Sequence, residues 1–347
     1  MYWKYALKRI LYGLIIYVIL IFIFSALFNT TVEQTARTEI YEKMSSELSR
    51  VTQNMSPEQV EVYRAQYLER KFKEYNLDKP LFERIIWRTY NSVTFQYGNS
   101  TKIKTSQGEK EVIKIIGETI PKTLLLFLIA FGIEIIIGIL VGIKKAQKAG
   151  GMMDKITSVA TMIVYGMPSW WLGMILIMFF AYSIKLFPSG GVYSTPPMVG
   201  AMKILDVAYH LILPVFTLVI LNFWGTAFVT RNIVLGTLQE DFVMSARARG
   251  IPEKKVLFGH AMRTAAPPII TIAVLTLLSS VSGSLLFEGI FSWPGMGNLY
   301  WTAIQMNDIP VLMGDLSVTT AIYMAGLVFL DLIYGFLDPR IKVGGKA

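Results

Sequence analysis

Six apolar runs alternate with polar linkers along the chain, at residues 10–28, 123–143, 156–184, 211–229, 269–287 and about 312–337. Each approaches or exceeds the roughly 20 apolar residues that carry a helix across a bilayer. The pattern predicts an all-α polytopic membrane protein with about six transmembrane helices. One hydrophilic stretch is long enough to fold by itself, residues 30–117. Within it Ile40, Met44, Leu48 and Val51 mark one amphipathic helix, and Val60, Tyr63, Tyr67, Phe72 and Tyr75 mark a second. Ser56-Pro57-Glu58-Gln59 opens the second with a capping box and with Pro at the first helical position. After Pro80, Val93, Phe95 and Tyr97 alternate up to Gly98-Asn99, a pattern that admits a short hairpin. The expected module is small, mostly helical and outside the membrane.

A second polar feature separates the fourth and fifth runs. Residues 241–268, DFVMSARARGIPEKKVLFGHAMRTAAPP, are polar and basic between apolar neighbours. Asp241 can cap a helix start, and Phe242 to Arg249 contains good helix formers. Gly250 supplies a stop, because Gly enters the left-handed conformation without steric cost. Pro252 then suits the beginning of another helix, where its missing N–H is not needed. The expected result is a helix, a sharp bend and a second helix, tied to the membrane at both ends. Such an elbow suits docking against a partner.

Composition narrows the class. The chain is 53% hydrophobic and only 16% charged, against about 25% charged in ordinary soluble domains. Its net charge of +9 fits cationic cytoplasmic loops better than nucleic-acid binding. Cysteine is absent, which excludes disulfides, thiolate metal sites and cysteine nucleophiles. Lys4, Lys8 and Arg9 precede the first run, which is too long for a signal-peptide core and lacks a small-residue cleavage site. An uncleaved first span with a cytoplasmic N-terminus follows. Six spans return the C-terminus to the cytoplasm and put the basic elbow and Lys144 to Lys155 on that side.

Several stretches carry a family resemblance. SARARG at 245–250, followed by His260 and Pro268, resembles the cytoplasmic loop of ATP-binding-cassette importer permeases, especially the oligopeptide and dipeptide branch. Thr264 stands where that branch usually has Asn. SPEQVEVYRAQYLERKFKEYNLDKPLFERIIW, GMPSWWLGMILIMFFAYSIKLFPSGG, HLILP, the string from Glu288 through Gly297, and Asp338-Pro339-Arg340 are each similar to stretches of those permeases. The likeness, which is to the first of the two permease subunits, covers nearly the whole chain. It implies a non-catalytic permease subunit in a prokaryotic cell membrane. Its expected partners are a second, different permease chain, two ATPase subunits, an extracytoplasmic substrate-binding protein, a peptide substrate and membrane lipid, with no nucleic acid. It implies no cofactor on this chain, ATP and Mg being held by the partner subunits. The corresponding division is a first span through residue 29, an extracytoplasmic domain at 30–117, a permease core at 118–340 with a coupling loop at 231–267, and a tail at 341–347. Nickel chelates, opines and short oligosaccharides are carried in the same branch and remain open as substrates.

Candidate residues fall into three groups. Asp241, Ser245, Ala246, Arg247, Ala248, Arg249 and Gly250 form the expected ATPase-coupling surface. Small Ala and Gly let a backbone approach closely, and the two Arg supply rim charge. Glu134 lies deep among Ile and Phe, where an ionisable group costs a few kcal/mol unless it meets a partner, water or a proton. A structural hydrogen bond and a pathway-lining role are both open for it, and Asn222 is a second candidate for the pathway. Glu288, Trp293, Pro294, Gly295 and Gly297 would shape an outer mouth, with Trp293, Tyr300 and Trp301 suited to the headgroup zone. His210 lacks companion ligands in sequence, so no metal site is expected.

Rival classes fare poorly. No G-x-x-x-x-G-K-[ST] phosphate loop occurs, so any energy from ATP must come through another subunit. H-E-x-x-H and G-x-S-x-G are absent as well. Asp315 and Asp331 on one helix would stand about 24 Å apart, too far to share a proton. A passive channel leaves the elbow unexplained.

Overall fold

The computed structural model describes residues 2–51, 55–164, 166–196, 198–279 and 283–337. The Asp338-Pro339-Arg340 end lies outside the described residues. Fourteen α-helices and two π-helical segments, Ile177–Ser183 and Val256–Ala261, follow one another among the described residues, with no strand. Five are long and apolar enough to cross a membrane, and a broken pair makes a sixth. The all-α polytopic expectation holds. The chain divides into two compact units, residues 1–118 with 302–347, and residues 119–301.

In the first unit α1 (Tyr2–Leu27) packs along α14 (Ile309–Leu337) and α4 (Leu81–Val93). The Tyr17 and Ser317 hydroxyls meet at 2.9 Å, and Ser317 also donates to the Ser92 carbonyl at 3.0 Å. α2 (Asn29–Val51) packs on α3 (Pro57–Glu74). Ile40, Met44, Tyr67 and Leu77 are buried there, with Leu48, Phe72 and Tyr75 against them; Leu77 joins the stripe the spacing predicts, and Val60 and Tyr63 stay outside it, half-buried. The capping box forms: Gln59 N–H donates to Ser56 Oγ at 3.4 Å, and Ser56 N–H donates to Gln59 Oε1 at 3.0 Å. The hairpin does not. Val93 ends α4, Phe95 takes a left-handed φ of 59°, and the pairing lies later, where Gly98, Asn99, Ser100 and Thr105 face Val112, Glu111, Lys110 and Glu109 without forming a strand. A buried carboxylate fastens this segment instead. Asp308 accepts from Ser100 Oγ at 2.6 Å and from the N–H groups of Thr101, Lys102 and Ile103. Residues 30–117 cluster with α1 and α14 in one compact unit.

The second unit holds most of α5 (Val112–Gln147), then α6 (Met152–Val164), α7 (Ser169–Leu176), α8 (Ala201–Leu238), α9 (Asp241–Ala248), α10 (Glu253–Lys255), α11 (Met262–Ser279), α12 (Leu285–Ile290) and the start of α13 (Met296–Met306). Three spans depart from their sequence limits. The run at 156–184 is broken, with α6 and the α7 segment meeting at 98°. Pro168 is the cap of α7, so it ends one helix and starts another where a simple kink is the sequence expectation. α8 has 38 residues, about 57 Å at helical rise, and so outruns a hydrocarbon core of about 30 Å. The fifth span is shifted toward the N-terminus: the spanning helix is Glu253–Leu278, through a π-helical stretch at Val256–Ala261, and not 269–287. Pro267 and Pro268 lie inside this helix. Proline reads as a boundary in water, but helices in a membrane accommodate it when neighbours and local π adjustments satisfy the freed carbonyls. Phe287 belongs to the separate helix α12, where it is buried.

Candidate functional site

The elbow is shorter than the 231–267 loop suggests. Residues 231–238 complete α8, and helix resumes at Glu253, so the link proper is 239–252. Glu240, not Asp241, occupies the N-cap of α9, without a side-chain cap bond, and Asp241 is the first helical residue. The C-terminus is a Schellman motif: Gly250 N–H donates to Arg247 O at 2.9 Å and Ile251 N–H to Ala246 O at 3.3 Å. Gly250 has φ +72°, as its role requires. Val243 and Ala246 are fully buried against Val234, Leu238, Val256, Leu257 and the end of α5. Ala246 thus seats the elbow on its own chain and does not face outward. Arg247 is a brace: Nη2 and Nε reach the Glu253 carboxylate at 2.7 and 3.1 Å, and Nη1 donates to the Leu238 carbonyl at 3.2 Å. The outward face is Asp241, Phe242, Met244, Ser245, Ala248 and Arg249, all exposed. Two large apolar side chains on a short polar helix, Phe242 and Met244, went unremarked in the sequence.

Beside it lies a buried ionic cluster that the lysine-rich linker disguised. Arg231 makes a forked contact with Asp154, at 2.7 and 3.2 Å, and Asp154 also accepts from Gly150 N–H at 3.0 Å. Lys145, with a fully buried side chain, stands 3.8 Å from Asp154. These groups tie the ends of α5, α6 and α8 together next to the elbow.

Glu134 belongs to a seam between α5 and α8, and Asn222 lies on α8 toward α6. Gly138 and Gly142, spaced as in small-xxx-small motifs, face Thr226 and Thr230. A Cβ at Gly138 would fall 2.6 Å from the Thr226 side chain, and one at Gly142 would fall 2.6 Å from that of Thr230. Glu134, one turn earlier on the same face, is buried and accepts a hydrogen bond from Thr226 Oγ1. Its second oxygen has no hydrogen-bond partner among the described residues. Asn222 donates to the Leu218 carbonyl at 2.8 Å and lines a cleft of about 210 Å³ with Thr161, Val164 and Met167. The seam was legible as Gly138-x-x-x-Gly142, and sequence reasoning passed over it. Glu134→Gln is expected to keep assembly, since the amide can still accept from Thr226, while Glu134→Leu removes the acceptor and is expected to lower membrane abundance or uptake at least severalfold. Unchanged uptake and abundance in Glu134→Leu would leave this carboxylate without a role.

The third group converges on Glu288, which is fully buried. Thr123 Oγ1 donates to its Oε1 at 2.9 Å while accepting from Met296 N–H at 2.7 Å, and Asn298 N–H donates to Oε2 at 2.9 Å. Gly295 packs here because a Cβ would lie 2.6 Å from Glu288 Oε1, and at Gly297 one would lie 2.7 Å from Leu285 N. Trp293 is also fully buried, donating to the Lys122 carbonyl at 2.9 Å, so it is a core residue of this turn and not a headgroup anchor. Trp301 is exposed. Pro294 lies between them in the turn. His210 bonds the Asp206 carbonyl at 2.9 Å, Asp206 is held by Ser194, and no metal-binding cluster occurs among the described residues.

A multi-pass helical membrane protein with a short, braced elbow outside its spans is the class these features define. Residues 134–343 match the family described as binding-protein-dependent transport system inner membrane component, and the chain belongs to it. It is 32% identical to the oligopeptide transport system permease protein AppB of Bacillus subtilis, over 84% of this chain and 89% of that one. It is 34% identical to the di/tripeptide transport system permease protein DppB of Pseudomonas aeruginosa, over 77% and 82%. The peptidoglycan transport system permease protein YejB of Agrobacterium fabrum is 33% identical, over 78% and 74%.

Proposed function

We propose that this chain is one of two permease subunits of a peptide importer, working with a second, different permease chain. Two ATPase subunits hold the ATP and Mg, one of them docked on the outward face of α9, and an extracytoplasmic binding protein delivers the peptide. The chain itself performs no chemistry. The observation that carries this reading is the elbow: its bend is fixed by Gly250, its base is braced by Arg247 and Glu253, and Phe242 and Met244 remain exposed. A surface held this rigidly transmits a push from a docked partner into α8 and the helix that starts at Glu253. The peptide cargo rests on relatives named for oligopeptides, di/tripeptides and peptidoglycan.

The same reading puts both termini in the cytoplasm and residues 30–117 outside. A reporter that is active only when exported is expected to work when fused near residue 54. One that is active only in the cytoplasm is expected to work near Lys254. The reverse pattern would overturn the orientation and the docking role with it.

A further inference from the structure

The first unit contains a cavity of about 730 Å³, within the range of small-ligand sites. Its wall brings α2, α4 and the start of α14 together with residues 96–101. Tyr75, Trp87, Tyr90 and Tyr97 supply aromatic surface, and three charged side chains, Glu39, Glu74 and Arg88, reach it. The acids are already matched, Glu39 by Lys43 at 2.6 Å and Glu74 by Lys71 at 2.6 Å. Arg88 is not. Its Nη1 donates to Asn29 Oδ1 at 2.9 Å, while the nearby Glu33 is taken by Arg37 at 2.9 Å and Arg84 at 2.7 Å. Two guanidiniums thus occupy that carboxylate, and Arg88 lines the cavity with no acid paired to it among the described residues. Burial beside Arg84 pushes the Arg88 guanidinium down to about 10, which still leaves it a cation at neutral pH. Thr101 Oγ1, also on the wall, is buried without a hydrogen-bond partner. A half-buried guanidinium has a fork that matches a carboxylate in geometry, and the aromatic wall suits an apolar body next to it.

Resting on the importer reading, we propose that this cavity is a binding site for the carboxyl end of a short peptide, with the free α-carboxylate on Arg88 and an apolar C-terminal side chain against Trp87 and the tyrosines. The amino end is left unspecified, because Glu39 and Glu74 are satisfied by their own lysines. The test is calorimetric binding to the full chain in neutral phosphatidylcholine nanodiscs, with the tripeptide leucyl-alanyl-phenylalanine and its C-terminal amide as probes. The acid is expected to bind about ten- to a hundredfold more tightly than the amide, the range of a charge-assisted hydrogen bond. Arg88→Gln is expected to erase that preference while leaving the affinity for the amide within about twofold. Trp87→Ala is expected to weaken both probes alike. Equal binding of acid and amide, no binding of either, or a preference that survives Arg88→Gln overturns the proposal. If Arg88→Gln does not fold, Arg88→Lys decides it, because a lysine keeps the charge without the fork and is expected to lose at least about threefold of the preference. Peptide uptake by the assembled complex without an acid preference rejects this site and leaves the importer reading standing. A preference without uptake of any peptide does the opposite.

Discussion

Gly250→Val is expected to abolish transport while leaving the protein inserted and paired. The reason is confined to the backbone. Gly250 holds φ +72°, and nothing lies within 4 Å of where its Cβ would be, so a larger side chain has room. What it lacks is the conformation: the left-handed region costs an L-residue about 1–2 kcal/mol, and more when it is β-branched. Relief of that strain breaks the bonds from Gly250 and Ile251 to Arg247 and Ala246, and α9 loses its fixed angle. Asparagine tolerates the left-handed conformation, so Gly250→Asn is expected to retain most of the uptake. The measurement is substrate uptake and ATPase stimulation by loaded binding protein in reconstituted vesicles, at equal membrane abundance. Arg247→Glu/Arg249→Glu is expected to uncouple as well, because Arg247 then repels Glu253 and the outer face loses the Arg249 charge. The exchange Arg247→Glu/Glu253→Arg is expected to recover part of the activity. Normal coupling in Gly250→Val and in Arg247→Glu/Arg249→Glu would remove the elbow from the transmission path.

The features read correctly from the sequence are those that follow from one-dimensional pattern. The number of spans, the amphipathic stripes of α2 and α3, the Ser56 capping box and the Gly250 stop all depend on residues within a few positions of one another. The errors arise where distant partners decide. Pro267 and Pro268 look like a boundary until the continuous helix through them is seen, and that displaced the fifth span by about four turns. Lys145 reads as one more solvated lysine in KKAQK, but it is buried beside Asp154 and Arg231. Ala246 was assigned to the outer face because it is small, and its smallness serves inward packing. Trp293 was placed at an interface by residue type alone, whereas its indole is buried against a carbonyl 171 positions away.

The Glu288 turn is the place where one side chain is expected to decide whether a whole segment stays folded. Its carboxylate is the acceptor for Thr123 Oγ1 and for Asn298 N–H, and Thr123 in turn holds Met296 N–H. Glu288→Ala takes the acceptor from the half-buried Asn298 amide and from the buried Thr123 hydroxyl, the latter alone costing about 1–3 kcal/mol. It also removes the group around which Gly295 is packed. Thr123→Val cuts the same relay from the other side, taking the acceptor from Met296 N–H and one donor from Glu288. Because the two residues act as one network, the double variant is expected to lose less stability than the sum of the single ones, by at least about 1 kcal/mol. Glu288→Gln is expected to fall between wild type and Glu288→Ala, since its carbonyl oxygen still accepts on one side while its NH2 opposes the donors on the other. Unfolding of the purified protein in detergent, followed by loss of the monodisperse size-exclusion peak on heating, gives the ranking wild type, Gln, Ala. Uptake in vesicles is expected to fall at least tenfold in Glu288→Ala at matched abundance, because the α12–α13 turn and its contact with α5 come apart together. Wild-type stability and uptake in Glu288→Ala, or strict additivity with Thr123→Val, would show that the buried carboxylate does not hold this turn together.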